Sequence, residues 1–196
     1  MLSQLSTLKA RLTVADSDPQ YDDLLTNALA AISATFDQEC NRTFARTVDA
    51  TCEFDSNDLE IIPPGFPIES VSKFELKQNE TDGWVEQTGV EFIIRKSCII
   101  SLKSPFSSLR SSFSLSRVTY TGGYVLPGAT AGAGQTPLPD DLQQAAVEQA
   151  ASWFMNRDKL GLVRYWPKGG IYLQFLNTDL LPNVRSTLDR YQRIRF

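Results

Sequence analysis

The apolar positions change period twice along the chain. Leu24, Leu25, Ala28, Leu29, Ile32 and Phe36 recur at helical spacing over an arc of about 140°, with Thr26, Ser33 and Asp37 opposite. Asp18 as N-cap, Pro19 at the first helical position and Asp22 in the first turn predict where that helix starts, and it is expected to run to about Cys40. A shorter helix over Leu5–Leu12, capped by Ser6, precedes it. From Thr43 to Thr121 the period shortens. Ser72–Lys77 alternates, with Phe74 and Leu76 on one face and Lys73, Glu75 and Lys77 on the other. Phe92–Ile94 and Cys98–Ile100 flank Arg95-Lys96-Ser97 as a hairpin, and Arg117–Thr121 is a β-branched strand that ends at Gly122-Gly123. The helical period then returns. Pro139, Asp140 and Asp141 mark a start, while Arg157, Lys159 and Gly161 mark a stop. A last helix begins near Pro182, with Val184, Leu188 and Tyr191 on one face and Arg185, Arg190 and Arg193 away from it.

Helices, strands, helices in that order predict an α+β fold: N- and C-terminal helices form a core around an inserted small antiparallel sheet module. The expected divisions are residues 1–43 (helical), 44–124 (β-rich), 125–137 (a flexible Gly/Ala/Pro connector), 138–181 (central helix, then an aromatic loop and strand) and 182–196 (basic helix and tail). Ser101–Ser116, rich in serine, is expected to be a mobile loop or a weak edge hairpin. The central helix stands out. Leu142, Ala145, Ala146, Val147, Ala150, Ala151, Trp153 and Phe154 cover more than half of its circumference, wider than one neighbour needs. It is expected to pack on several neighbours, a second subunit being one candidate. Arg157 falls inside the arc, where a buried charge requires a carboxylate or a carbonyl.

Composition narrows the chemistry. A net charge of −4 argues against a dominant DNA-binding surface. The chain has no histidine, which removes Ser-His-Asp and Cys-His catalysis and His-ligated zinc. Cys40, Cys52 and Cys98 lack CxxC spacing and are expected as buried thiols in a reducing cytoplasm. No apolar run is long enough for a membrane span, and the N-terminus lacks signal-peptide regions. Asp16, Asp18, Asp22 and Asp23 resemble the start of a calcium loop, but Tyr21 and Asn27 stand where that loop needs Gly and Glu. Gly132-Ala133-Gly134-Gln135-Thr136 lacks the Gly-Lys-Ser/Thr ending of a phosphate loop. Asp140 with Asp141, and Glu53 with Asp55, are the carboxylate pairs a hydrolase would need; helix capping and strand exposure account for them without catalysis. No cofactor or metal is expected.

The order of these elements resembles the head–tail connector (head-completion or adaptor) proteins of long-tailed bacteriophages. The likeness is carried by Leu8-Lys9-Ala10-Arg11-Leu12 with Asp16–Asp23 and the helix ending in Cys40-Asn41-Arg42-Thr43-Phe44, and by Pro67-Ile68-Glu69-Ser70-Val71. It continues in Val118–Tyr124, Leu138–Leu142 and Trp153-Phe154-Met155-Asn156-Arg157, and closes with Leu181–Leu188 and Tyr191-Gln192-Arg193. The resemblance implies a structural virion protein, not an enzyme. It would form a homo-oligomeric ring, commonly of about twelve subunits, docked beneath the portal protein at the neck. Double-stranded DNA would pass through its lumen without specific binding, and its far side would receive the stopper or tail, with assembly in the host cytoplasm. Another tail-completion or tail-tube component, and less strongly a carboxylate-dependent hydrolase, are the alternatives. On that resemblance Leu142, Ala145, Ala146, Ala150, Trp153, Phe154 and Arg157 form the subunit-packing helix. Arg185, Arg190, Tyr191, Arg193, Arg195 and Phe196 form the portal-docking tail.

Overall fold

The computed structural model describes residues 1–56, 58–103, 114–157, 164–165, 173–174 and 180–193. The fold is α+β, as the order of periods implies. The chain divides into two compact units, one comprising Met1–Glu39 with Pro139–Tyr191, the other Cys40–Leu138 with Gln192–Phe196.

The first unit is helical. It contains α1 (Leu5–Leu12), α2 (Asp22–Glu39), α3 (Asp140–Met155), α4 (Pro182–Leu188) and a 3₁₀ turn over Asp189–Tyr191, with a short pairing of β10 (Arg164–Tyr165) to β11 (Leu173–Gln174). Leu25, Leu29, Ile32 and Phe36 form the buried ridge of α2, whereas Leu24, expected among them, is about half exposed. Ser33, on the polar side of that wheel, accepts from the Leu2 amide at 3.0 Å and ties down the N-terminus. α1 starts at Leu5 after Gln4, without a side-chain cap, so Ser6 lies inside the helix. α2 starts at Asp22, not at Pro19, because the Asp18 carboxylate accepts from the Gln20 amide and closes a turn of its own.

The loop that resembled a calcium site is filled from within. Lys9 is 2% exposed, and its ammonium contacts the carbonyls of Asp16 (3.1 Å) and Asp18 (2.8 Å) and the carboxylate of Asp22 (2.5 Å). A buried ammonium requires such a full set of oxygens. Here it brings the end of α1, the loop and the start of α2 together.

The second unit holds the strands β1 (Thr47–Asp55), β2 (Glu60–Ile61), β3 (Ile68–Lys77), β4 (Val85–Glu86), β5 (Glu91–Arg95), β6 (Ile99–Lys103) and β7 (Leu115–Gly122), followed by β8 (Tyr124–Val125) and β9 (Thr136–Pro137). One antiparallel sheet has the order β1-β7-β3-β4, another β2-β6-β5. Cys52, Ile61, Ile68, Phe74, Ile100, Val118 and Tyr120 form their common core. The expected hairpin is β5–β6, turned by Lys96 and Ser97 at φ 49° and 54°. Strand also extends into both ends of the serine-rich stretch, to Lys103 and from Leu115; its middle, residues 104–113, lies outside the described residues. The 125–137 segment, expected as a flexible connector, is tied at both ends. β8 pairs in parallel with β9, and the Leu138 amide donates to the Val125 carbonyl at 3.0 Å.

The backbone is tightest at Gly122-Gly123. A Cβ on Gly122 would stand 2.6 Å from the Gly65 carbonyl oxygen, and one on Gly123, at φ +105°, 2.5 Å from that of Ala45. Three segments meet there. Gly123 donates to the Pro67 carbonyl (2.9 Å), Tyr124 to that of Phe44 (2.8 Å), and Arg46 back to that of Tyr124 (2.8 Å). Beneath lies Arg42, 3% exposed, its guanidinium 3.4 Å from the Phe66 ring centroid, 4.6 Å from Phe44 and 5.3 Å from Tyr124. It also donates to the Phe66 carbonyl. The Tyr120 hydroxyl, buried in the same region, accepts from the Gly65 amide at 2.9 Å.

Glu75 shares its face with Lys73, as alternation places it, yet it is only 6% exposed. Arg117 of β7 reaches it at 2.7 and 2.8 Å and Lys73 at 2.8 Å, while Trp84 covers the Arg117 guanidinium at 4.3 Å. Burial pushes the Glu75 carboxyl up, but hydrogen bonds from Lys73 and Arg117, together with their charges, outweigh it and hold the group below its ordinary value.

Two predictions follow from this unit's chemistry. Gly123→Ala is expected to cost about 2–4 kcal/mol, because backbone must move. Gly89→Ala, also at positive φ (75°) but with open space around its Cβ position, is expected to cost only about 1 kcal/mol; the urea midpoints of the two variants measure the difference. Because Glu75 is depressed when folded, its stabilisation is complete above the unfolded carboxyl value and disappears as pH falls through the folded one. Stability should therefore drop from about pH 5 downward, and Glu75→Gln should flatten that acid limb in urea titrations at successive pH values.

Candidate functional site

The expected packing helix, α3, touches α1, α2 and α4 of its own unit. Leu142 (0%), Ala145 (4%), Ala146 (1%) and Ala150 (0%) are buried there, with Val147 and Ala151. The wide apolar arc is therefore used by three helices of the same chain. That places these four residues inside the subunit, not on a face open to a second copy. The alanines serve close approach between backbones, as their small size suggested. Gln149, which no periodicity marks, is 2% exposed; its side-chain oxygen accepts from the Leu181 amide at 2.9 Å and so sets the entry to α4.

α3 also ends earlier than expected, at Met155, capped by Asn156; Lys159 and Gly161 lie outside the described residues. Past this end, Arg157 folds back. It donates to the Phe154 carbonyl at 2.8 Å, and its guanidinium lies 4.2 Å from the Phe154 ring and 5.7 Å from Tyr21. Tyr21 and Phe154 meet edge to face at 5.2 Å. The expected carbonyl partner of Arg157 is present, although the side chain is exposed. Trp153 and Phe154 are partly buried and Met155 is 59% exposed, so this end of α3 carries apolar surface that still meets solvent.

The expected docking tail is largely engaged within the chain. Asp141 accepts from the Tyr191 hydroxyl at 2.7 Å and pairs with Arg190 at 3.3 Å, while its nearer backbone contact is the Leu142 amide at 2.9 Å. Asn183 donates to Glu148. Polar side chains thus strap α4 and the 3₁₀ turn along α3. Arg193 belongs to the second unit, its Nε donating to the Ile62 carbonyl at 2.8 Å and its amide to that of Cys40 at 2.9 Å. Arg185 is exposed, and Arg195 and Phe196 lie outside the described residues. In the sequence Asp141 stands out only as a helix-terminus charge and as half of a carboxylate pair with Asp140. The signal for its second role was the cation and phenol at positions 190 and 191, separated from it by about fifty residues that hide the pairing.

Chemistry at the other candidates is structural. All three cysteines are free thiols; burial pushes Cys52 up, against the pull of Arg193, which makes it a poor nucleophile at neutral pH. The glycine-rich 132–136 stretch is a turn in which the Gln135 side chain accepts from the Gly132 amide at 2.9 Å. No group of three or more potential metal ligands occurs among the described residues.

The fold as a whole has solved counterparts. No family model matches the chain, and no curated protein matches it either. A chain in the neck of an empty gene transfer agent (GTA) particle, computed with C6 symmetry, superposes with a TM-score of 0.59 at 14% identity, over 100% of this chain and 91% of that one. A chain in the neck of the native GTA particle, computed with C12 symmetry, gives 0.53 at 16% identity, over 98% and 89%. A chain in the virion of the native particle gives 0.56 at 15%, over 100% and 91%. The fold is shared with chains found in the neck of that particle. The likeness covers both units, not the sheet or the helices alone.

The burial of α3 predicts where damage appears first. Ala150→Leu is expected to destabilise the isolated subunit by about 1–3 kcal/mol through overpacking, seen as a lowered melting temperature before any assembly is attempted. An unchanged melt with failed assembly would return this residue to a subunit interface.

Proposed function

We propose that this chain is a structural, non-catalytic component of a head–tail neck: a connector that assembles as a ring beneath a portal, extends the DNA channel and offers its far side to a stopper or tail. The observation that carries this reading is the likeness over essentially the whole chain to neck chains in particles of C6 and C12 symmetry. Closed rings use heterologous interfaces, in which two different faces of each copy meet. The aromatic end of α3, with Trp153, Phe154, Met155 and Arg157, is one such face; Leu142, Ala145, Ala146 and Ala150 support it from inside. For portal docking, Arg185 is the cation on α4 that faces solvent, with Arg195 and Phe196 beyond the described residues. Arg190, Tyr191 and Arg193 take part once the tail leaves Asp141 and Ile62.

The modest negative charge suits a channel through which DNA slides without adhering. The hydrolase alternative loses its best pair, because Asp141 is committed to Tyr191 and Arg190.

The test mixes the purified chain with a portal protein from the same particle and images the product by electron microscopy. Ring-shaped complexes under the portal are expected, and a monomer that neither closes into rings nor binds portal would overturn the reading. Particles made without the protein should be filled or leaking heads lacking tails; closed, tailless heads would favour a tail-completion component instead.

A further inference from the structure

The second unit carries a groove of about 560 Å³ that the ring reading does not use. It runs beside β1 and β2, lined by Cys52 to Asp55, by Asp58 and Glu60 to Ile62, and by Leu115 and Arg193. Successive residues of a strand point to opposite faces, so a cavity lined by four consecutive residues of β1 meets that strand edge-on. β1 is the outermost strand of its sheet and β2 the outermost of the other. Among the described residues the groove therefore has two unpaired strand edges, a partly apolar floor, and Leu115 (42% exposed) at its rim.

Its charge is one-sided. Among the described residues, Glu53, Asp55 and Asp58 have no ion-pair partner, and Glu60 pairs with Arg95 at 2.9 Å. One guanidinium already sits there: Arg193 donates to the Ile62 carbonyl. We propose that this groove docks an extended, arginine- or lysine-bearing segment of a partner protein, which adds to a strand edge by backbone hydrogen bonds and sets its cations against Glu53, Asp55 and Asp58. Pairing β1 with β1 of a second copy is disfavoured, since it would bring acidic edges together. Charges on an edge strand also guard against aggregation, but that role gives no preference for a basic peptide. The inference is independent of ring formation.

The test uses the full chain and two fluorescein-labelled synthetic peptides, one alternating Arg with Val and one with Glu in place of Arg, followed by anisotropy. Binding of the Arg peptide is expected, weakening with salt. It should fall at least about tenfold in the Glu53→Gln/Asp55→Asn/Asp58→Asn variant, whose exposed substitutions should leave the melting temperature unchanged. On the unsubstituted protein, amide NMR shifts upon peptide addition should concentrate at residues 52–62. No binding, equal binding of the Glu peptide, equal binding by the variant, or shifts located elsewhere would each sink the proposal.

Discussion

The β-rich unit depends on backbone contact at Gly122-Gly123. A strand end, the chain after Asn41 and the loop through Gly65–Pro67 approach so closely there that no side chain fits between them. Everything nearby follows from that contact. Tyr120 can place its hydroxyl on the Gly65 amide, Arg42 can lie among three aromatic rings, and β7 can stop and continue as β8 in one residue. Burial pushes the Tyr120 phenol up, so it stays neutral and remains an acceptor for that amide across the ordinary pH range.

A second theme is the use of buried charge as a fastener. Lys9 closes the loop between α1 and α2, Arg42 fills the aromatic box, and Glu75 gathers Lys73 and Arg117 under Trp84. Removing one partner of such a set leaves the other charge in low dielectric, which is costly. Replacing the set with apolar groups can be neutral for stability, so the gain is one of specificity: each cation recognises oxygens from particular segments and excludes other packings.

These fasteners explain what the sequence could and could not disclose. Regular apolar spacing made α2, α3 and the β5–β6 hairpin legible, and the order of elements made the α+β class legible. Alternation put Glu75 on the right face but could not show its burial, because Arg117 arrives from a strand about forty residues later. Capping rules set α2 three residues early because Asp18 spends its carboxylate on Gln20. The width of the α3 arc implies several neighbours, and α3 has them, but composition cannot tell a neighbouring helix of the same chain from one of another. The tail arginines looked free because a helical wheel contains no information about Asp141.

The discontinuous make-up of the helical unit has a consequence for synthesis. α1 and α2 leave the ribosome well before α3, with all of residues 40–138 in between. At roughly 5–20 residues per second, the apolar ridge of Leu25, Leu29, Ile32 and Phe36 waits on the order of 5–20 s for its main partner, while the strand-rich segment has already emerged. The inserted unit thus has time to form while the helical unit is incomplete. The nascent N-terminal helix pair is the stretch most in need of protection from aggregation.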